Sequence, residues 1–173
     1  MVVALLALVV AISVTIPVER LLHQPGLLMT MSVVVGLILV GAAGDMLAVA
    51  VAAASLPALH SMAARRRPGA KEALILKRNA DRVAILAGDI VGDVAGTLSG
   101  AVAGAWGLTF ARHHVWPPTL VAGGMVAVAA ALTVGAKGTL KGVALEYANL
   151  VLYAAGYVAH TLGGVRLRRR RFG

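Results

Sequence analysis

The 173-residue chain contains no cysteine, only seven acidic residues, and aromatic residues at 4% of its length. Without cysteine it has no disulfide bond, no thiolate metal site and no cysteine nucleophile. Charged residues make up 13% of the chain, against about 25% in soluble domains, whereas 60% of its residues are hydrophobic. So few charges cannot cover the surface of a soluble globule. The composition therefore excludes a soluble enzyme and a disordered chain, and it indicates an integral membrane protein with one domain, residues 1–173.

The sixteen basic residues concentrate in two blocks, one within residues 65–82 and one in the C-terminal tail, residues 166–173. Both blocks flank apolar segments, where basic residues mark the cytoplasmic side and attract anionic lipid. No aromatic residues are interleaved with them, so the charge does not indicate nucleic-acid binding. We predict a multi-pass protein of the cell (inner) membrane whose N- and C-termini are both cytoplasmic.

Four apolar segments predict membrane-spanning helices, because about 20 apolar residues cross the hydrocarbon core. They cover residues 1–18, 27–59, 83–111 and 115–136. A fifth apolar stretch, residues 142–165, has polar residues at spacings of three or four, namely Glu146, Asn149, Tyr153, Tyr157 and His160. We interpret it as an amphipathic juxtamembrane helix on the cytoplasmic face. The predicted fold is an all-α membrane protein with four transmembrane helices and this interfacial helix.

The third predicted span carries five glycines at a spacing of four. Such a glycine zipper lets a neighbouring helix approach backbone to backbone. A bundle this small with a long glycine face needs a partner surface, so we predict a homodimer. The glycines are Gly88, Gly92, Gly96, Gly100 and Gly104.

Three aspartates lie within the predicted spans: Asp45 in the second, and Asp89 and Asp93 four residues apart in the third. A carboxylate at membrane depth costs about 2.5–3.5 kcal/mol, so we expect a bound cation or a proton to compensate it. Mg²⁺ binds oxygen ligands, and Thr97 or Ser99 could add a hydroxyl to the three carboxylates. No imidazole or thiol accompanies them, which argues against zinc and copper. The alternative is that these acids hydrogen-bond locally.

The layout of residues 33–162 resembles the transmembrane domain of the cyclin-M (CNNM) and CorB family of magnesium transporters. In that family an acidic helix leads into a basic cytoplasmic segment, as Gly44-Asp45-Met46-Leu47-Ala48 leads to Arg65-Arg66-Arg67 here. A Gly-Asn-x-x-x-Asn pattern follows in the family, and Gly88, Asp89 and Asp93 match its spacing. The family's Gly-Glu-x-x-Pro-Lys resembles residues 136–141, with Lys137 in place of the glutamate and Leu140 in place of the proline.

The resemblance implies a dimeric Mg²⁺ transporter without the family's CBS or CorC domains. We therefore predict divalent-cation binding or transport at Asp45, Asp89 and Asp93, with Lys137 and Lys141 shaping the inner mouth. The ammonium of Lys137 could instead neutralise the aspartates in place of an ion. Two alternatives stay open: a non-transporting membrane module or small subunit, and a proton-coupled carrier. No Ser/His/Asp arrangement, phosphate loop or HExxH motif is present in the sequence, so we do not expect an enzyme.

Overall fold

The computed structural model describes residues 2–21, 26–112 and 116–170, with side chains for residues 3–18, 26–112 and 116–162. Over these residues the chain is helical and contains no β-strand, which confirms the all-α prediction. The helices are α1 (Val2–Leu21), α2 (Leu27–Ala53), α3 (Leu56–Ala64), α4 (Ala70–Arg78), α5 (Ala80–Ala84), a π-helical segment (Ile85–Gly92), α6 (Asp93–Arg112), α7 (Pro118–Glu146) and α8 (Ala148–Arg170). The basic tail predicted at residues 166–173 lies outside the described side chains.

Three helices are long and apolar enough to cross a membrane: Leu27–Ala53, the continuous helix Ala80–Arg112, and Pro118–Glu146. The apolar part of α1 within the described residues, Val3–Val18, is shorter than the about 20 residues that a span needs. The first of the four predicted spans therefore stays a prediction.

Two helix ends differ from the ends of the predicted spans. The helix of the second span ends at Ala53, before residue 59, because Ala54 has an extended backbone and α3 begins anew with Pro57 in its first turn. The helix of the fourth span continues past residue 136, since α7 ends at Glu146. The ten additional residues, 137–146, include Lys137 and Lys141, so both lysines belong to the same helix as the apolar part of the span.

The three long helices pack alternately up and down. We call the helix Ala80–Arg112 the third helix, after the third predicted span; it is distinct from α3. Gly41 of α2 lies against Gly92 and Gly96, whereas Gly44, later in α2, lies against Ala87, which is earlier in the third helix. The helix Ala80–Arg112 is therefore antiparallel to α2. It is also antiparallel to α7, because Gly96 faces Thr133 and Gly104 faces Val126. It follows that α2 and α7 run in the same direction.

Two apolar clusters form the core, one on each side of Asp45 along α2. The first lies among α2, α6 and α7 and contains Val34, Ile38, Val102, Ala103 and Ala129. The second lies at the other end of α2, against α3, α4 and α8, and contains Val51, Ala54, Leu59, Ala73, Ala148 and Leu152. Asp45 is seven residues from Ile38 and six from Val51, about 10 Å along the axis in each direction.

The predicted amphipathic helix begins later than expected, at Ala148, and part of its polar face contacts protein. Asn149 accepts a 2.7 Å hydrogen bond from the backbone N–H of Ser55, just after α2. His160 lies 2.8 Å from Glu72 of α4. Ala148, Leu152 and Gly156 are buried on the same side, while Leu150, Val158 and Leu162 are exposed. Glu146 belongs to α7. The placement of α8 along the membrane surface remains a prediction.

Candidate lysine–aspartate network

Lys137 and Lys141 of α7 are one helical turn apart, so both ammonium groups reach the same part of α2. Lys137 Nζ lies 3.3 Å from Asp45 Oδ2, and Lys141 Nζ lies 3.1 Å from the same oxygen. The side chain of Asp45 is only 9% exposed. A carboxylate this deeply buried requires an opposite charge, and α7 supplies two.

Lys137 also binds a second carboxylate, Asp93 at the start of α6, at 3.0 Å from Oδ1. The side chain of Asp93 is 71% exposed, against 17% for Lys137. The ammonium group of Lys137 therefore joins a buried acid to an accessible one. We call Asp45, Asp93, Lys137 and Lys141 the lysine–aspartate network; its two carboxylates and two ammonium groups sum to zero charge.

Close backbone contact between α2 and the π-helical segment positions Asp45. A Cβ atom added to Gly44 would collide with the carbonyl oxygen of Ala87, and one added to Gly92 would lie 2.7 Å from Asp45 Oδ1. Glycine at both positions lets the two helices approach. Asp45 then lies between the third helix and α7 and not in lipid.

The π-helical segment Ile85–Gly92 lies beside Asp45 and carries Asp89. A π-helical turn bonds residue i to residue i+5, and such turns occur often at functional sites. Asp89 is exposed and forms no salt bridge with any described residue. It lines a cavity with Asp45 and Lys141. Asp89 therefore adds an uncompensated negative charge next to the neutral network.

The two candidate hydroxyl ligands do not join the carboxylates. Thr97 donates to the backbone carbonyl of Asp93 at 2.8 Å. Ser99 is fully buried, donates to the carbonyl of Gly96 at 2.7 Å and lies 3.3 Å from the hydroxyl of Thr133. Across residues 2–21, 26–112 and 116–170, no cluster of three or more His, Cys, Asp or Glu residues has the arrangement of a metal site. The structure thus brings the aspartates toward lysines and leaves Thr97 and Ser99 in separate hydrogen bonds.

Two cavities lie next to the network and extend from it in opposite directions. The first, about 430 Å³, follows α2 from Asp45 toward the loop after Ala53 and includes Asp89 and Lys141; we call it the loop-side cavity. The second, which we call the far cavity, is about 780 Å³ and follows α6 from Asp93 to Ala101 and α7 from Lys137 back to Val126. Because α6 is antiparallel to α2, the two cavities lead toward opposite ends of the bundle. Among the described residues they share no lining residue, and the ion pair between Lys137 of the far cavity and Asp45 of the loop-side cavity separates them.

Four of the five zipper glycines contact other helices, two of them α2 and two α7. Gly88 and Gly92 face Ala48, Gly41 and Asp45 of α2, while Gly96 and Gly104 face Thr133 and Val126 of α7. An added Cβ at Gly100 would have no neighbour within 4 Å. Four residues of an α-helix rotate by about 400°, which is about 40° more than one full turn. Each glycine is therefore displaced by about 40° around the helix from the one before it. The stripe therefore winds around the helix, and most of it packs within this chain.

Sequence reasoning missed several polar contacts between helices. Lys77 donates to the carbonyls of Val51 and Ala52, both at 2.9 Å, and so caps α2. The pairing of Glu72 with His160, and of Ser99 with Thr133, was also missed. For the network, the spacing of Lys137 and Lys141 was the one available signal, since it matches the helical turn. The missed pairs join residues 25 to 88 positions apart, for which the sequence contains no local pattern.

No protein family, no curated protein and no solved structure matches this chain. The resemblance to the cyclin-M and CorB transmembrane domain therefore depends on the quoted motifs alone.

Proposed function

We propose that this protein is a membrane carrier in which a cation exchanges with lysine ammonium groups at the lysine–aspartate network. The observation that supports this proposal is that two cavities directed toward opposite ends of the bundle are separated by the ion pair of Asp45 with Lys137, which also binds Asp93. A transported cation needs access from both ends and a compensating charge between them. A purely structural ion pair needs neither cavity.

The charge balance favours a proton as the cation. The four network residues are neutral together, and Asp89 adds one negative charge beside them. One proton neutralises that excess, whereas Mg²⁺ would leave a positive charge unless an ammonium group moved away. We therefore place the proton-coupled carrier ahead of the Mg²⁺ transporter, which the ligand chemistry of Asp45, Asp89 and Asp93 keeps as the second candidate.

We infer the steps of the exchange from the positions of these charged groups. A proton entering the loop-side cavity binds Asp89 and passes from Asp89 to Asp45. The neutral Asp45 releases Lys137, whose ammonium then pairs with Asp93 alone, at the edge of the far cavity. The proton passes from Asp45 to Asp93, the ammonium returns to the Asp45 carboxylate, and Asp93 releases the proton into the far cavity. A solute occupying either cavity would move with this cycle.

Our proposal places the protein in the cell membrane as a homodimer. Leu120, Val128, Leu132 and Val134 of α7 are exposed, and they provide apolar surface for lipid or for a second copy. The basic residues of the loop between α2 and the third helix favour the cytoplasmic side for that loop.

Proteoliposomes that contain either a pH-sensitive or a Mg²⁺-sensitive dye test the proposal. We expect an imposed pH gradient to dissipate faster with the wild type than with Asp93→Asn, and the Mg²⁺ signal to be the same with and without protein. Asp81→Asn, an exposed acid outside the network, is the matched control and should behave as the wild type. Mg²⁺ entry that Asp93→Asn abolishes would establish the second candidate. Proton and Mg²⁺ fluxes of the wild type that do not exceed those of protein-free liposomes would indicate a non-transporting module.

A further inference from the structure

A basic cleft lies away from the network, where the loop between α3 and α4 crosses α8. Its volume is about 540 Å³, and its lining includes Arg66, Arg67, Lys71, Glu72 and His160. Three cationic side chains and one carboxylate give it a net charge of +2 with His160 neutral. The cleft is therefore complementary to an anion.

Glycines fix the loop in this position. Gly69 has φ +86°, a left-handed conformation that favours glycine, and it lies directly against the backbone of Tyr157. A Cβ atom added to Gly156 would collide with the carbonyl oxygen of Gly69. This contact holds the three consecutive arginines 65–67 at the edge of α8, next to His160.

The arginines of the cleft have no protein counter-ion. Within the described part of the chain, no carboxylate lies within salt-bridge distance of Arg66 or Arg67, and both residues are exposed. Glu72, the only carboxylate in the lining, is held by His160 at 2.8 Å. Two planar guanidinium groups that remain free at a cleft match the bidentate geometry of phosphate oxygens.

The surroundings favour a phosphate carried by lipid. α3 follows the span α2 after two residues, and α8 follows the span α7 after one. Val158 and Leu162, one turn apart on the face of α8 opposite His160, are 55% and 65% exposed and provide an apolar surface suited to lipid. Basic clefts next to membrane spans bind the head groups of anionic lipids. We propose that this cleft binds the phosphate of an anionic phospholipid such as phosphatidylglycerol.

Native mass spectrometry of the full chain in detergent, titrated with phosphatidylglycerol or phosphatidylcholine, tests the site. We expect preferential binding of phosphatidylglycerol, weakened about fivefold for each arginine removed in Arg66→Gln/Arg67→Gln. Arg78→Gln/Arg82→Gln removes the same charge outside the cleft and should retain the preference. Arg66→Lys/Arg67→Lys keeps both positive charges and should retain part of the preference for phosphatidylglycerol. This variant therefore separates a loss of binding from a loss of folding.

Three results would overturn the proposal. One is equal binding of the two lipids by the wild type. The second is an equal loss in both glutamine double variants, because that would mean diffuse surface charge. The third is displacement of phosphatidylglycerol by added inorganic phosphate, which would assign the cleft to a soluble phosphate ligand.

Discussion

Lys137 lies 3.3 Å from Asp45 and so joins α7 to α2 by an ion pair inside a bundle of small side chains. The pair gives Asp45 the fixed positive charge that the sequence offered as the alternative to a bound cation. It also makes the stability of the bundle dependent on Lys137, because Asp45 is nearly inaccessible to water.

Replacing Lys137 by methionine should destabilise the protein by about 1–3 kcal/mol, since Asp45 loses one of its two partners in a buried setting. Lys141→Met should have a smaller effect, because Lys141 is 47% exposed against 17% for Lys137. Thermal unfolding in detergent, followed by tryptophan fluorescence, measures both. The double variant Lys137→Met/Asp45→Asn should recover part of the loss; strict additivity would show that the two residues are not coupled.

Gly44→Ala and Gly100→Ala should change stability in opposite directions. A methyl group at position 44 collides with the Ala87 carbonyl oxygen, so we expect a loss of about 1–3 kcal/mol. Position 100 has open space, and alanine there should stabilise the helix by about 0.5–1 kcal/mol. Chemical denaturation of the two purified variants checks this contrast. Similar losses in both would contradict the described packing of the third helix.

Lys77→Met should loosen the end of α2, because the carbonyls of Val51 and Ala52 lose their charged donor. We expect a destabilisation of about 1 kcal/mol. Faster hydrogen exchange confined to the last turn of α2 would be the specific sign. Arg78→Met, at the neighbouring exposed position, is the control and should leave exchange in α2 unchanged.

The contact between Glu72 and His160 makes part of the stability depend on pH. The hydrogen bond from His160 lowers the pKa of Glu72 below its usual value. A carboxyl group with a lowered folded-state pKa stabilises the fold above its unfolded pKa, about 4.3, and this contribution is lost as the pH falls through the folded value. Glu72→Gln should therefore have a lower melting temperature than the wild type at pH 6–7. At about pH 3 the two melting temperatures should be the same. An unchanged difference at both pH values would contradict the contact.

The sequence was sufficient to predict helices and the positions of the acids, because long apolar segments and isolated charges are local features. It did not predict that α7 extends through Lys137 and Lys141, since residues 137–146 contain little that distinguishes a span from an interfacial helix. Asp45 and Lys137 are 92 positions apart, and only packing brings them together. The π-helical segment, which packs against Gly44 of α2 through Ala87, was also missed, because no local sequence pattern marks its wider turn.

The most direct test of the central claim is the charge displaced on a solid-supported membrane after a rapid pH step at zero Mg²⁺. If a proton takes the place of an ammonium group at the carboxylates of the lysine–aspartate network, the wild type and Asp81→Asn should give a transient current. Asp45→Asn should lack this current. A current of the same size in Asp45→Asn, or no current in the wild type, would contradict the account.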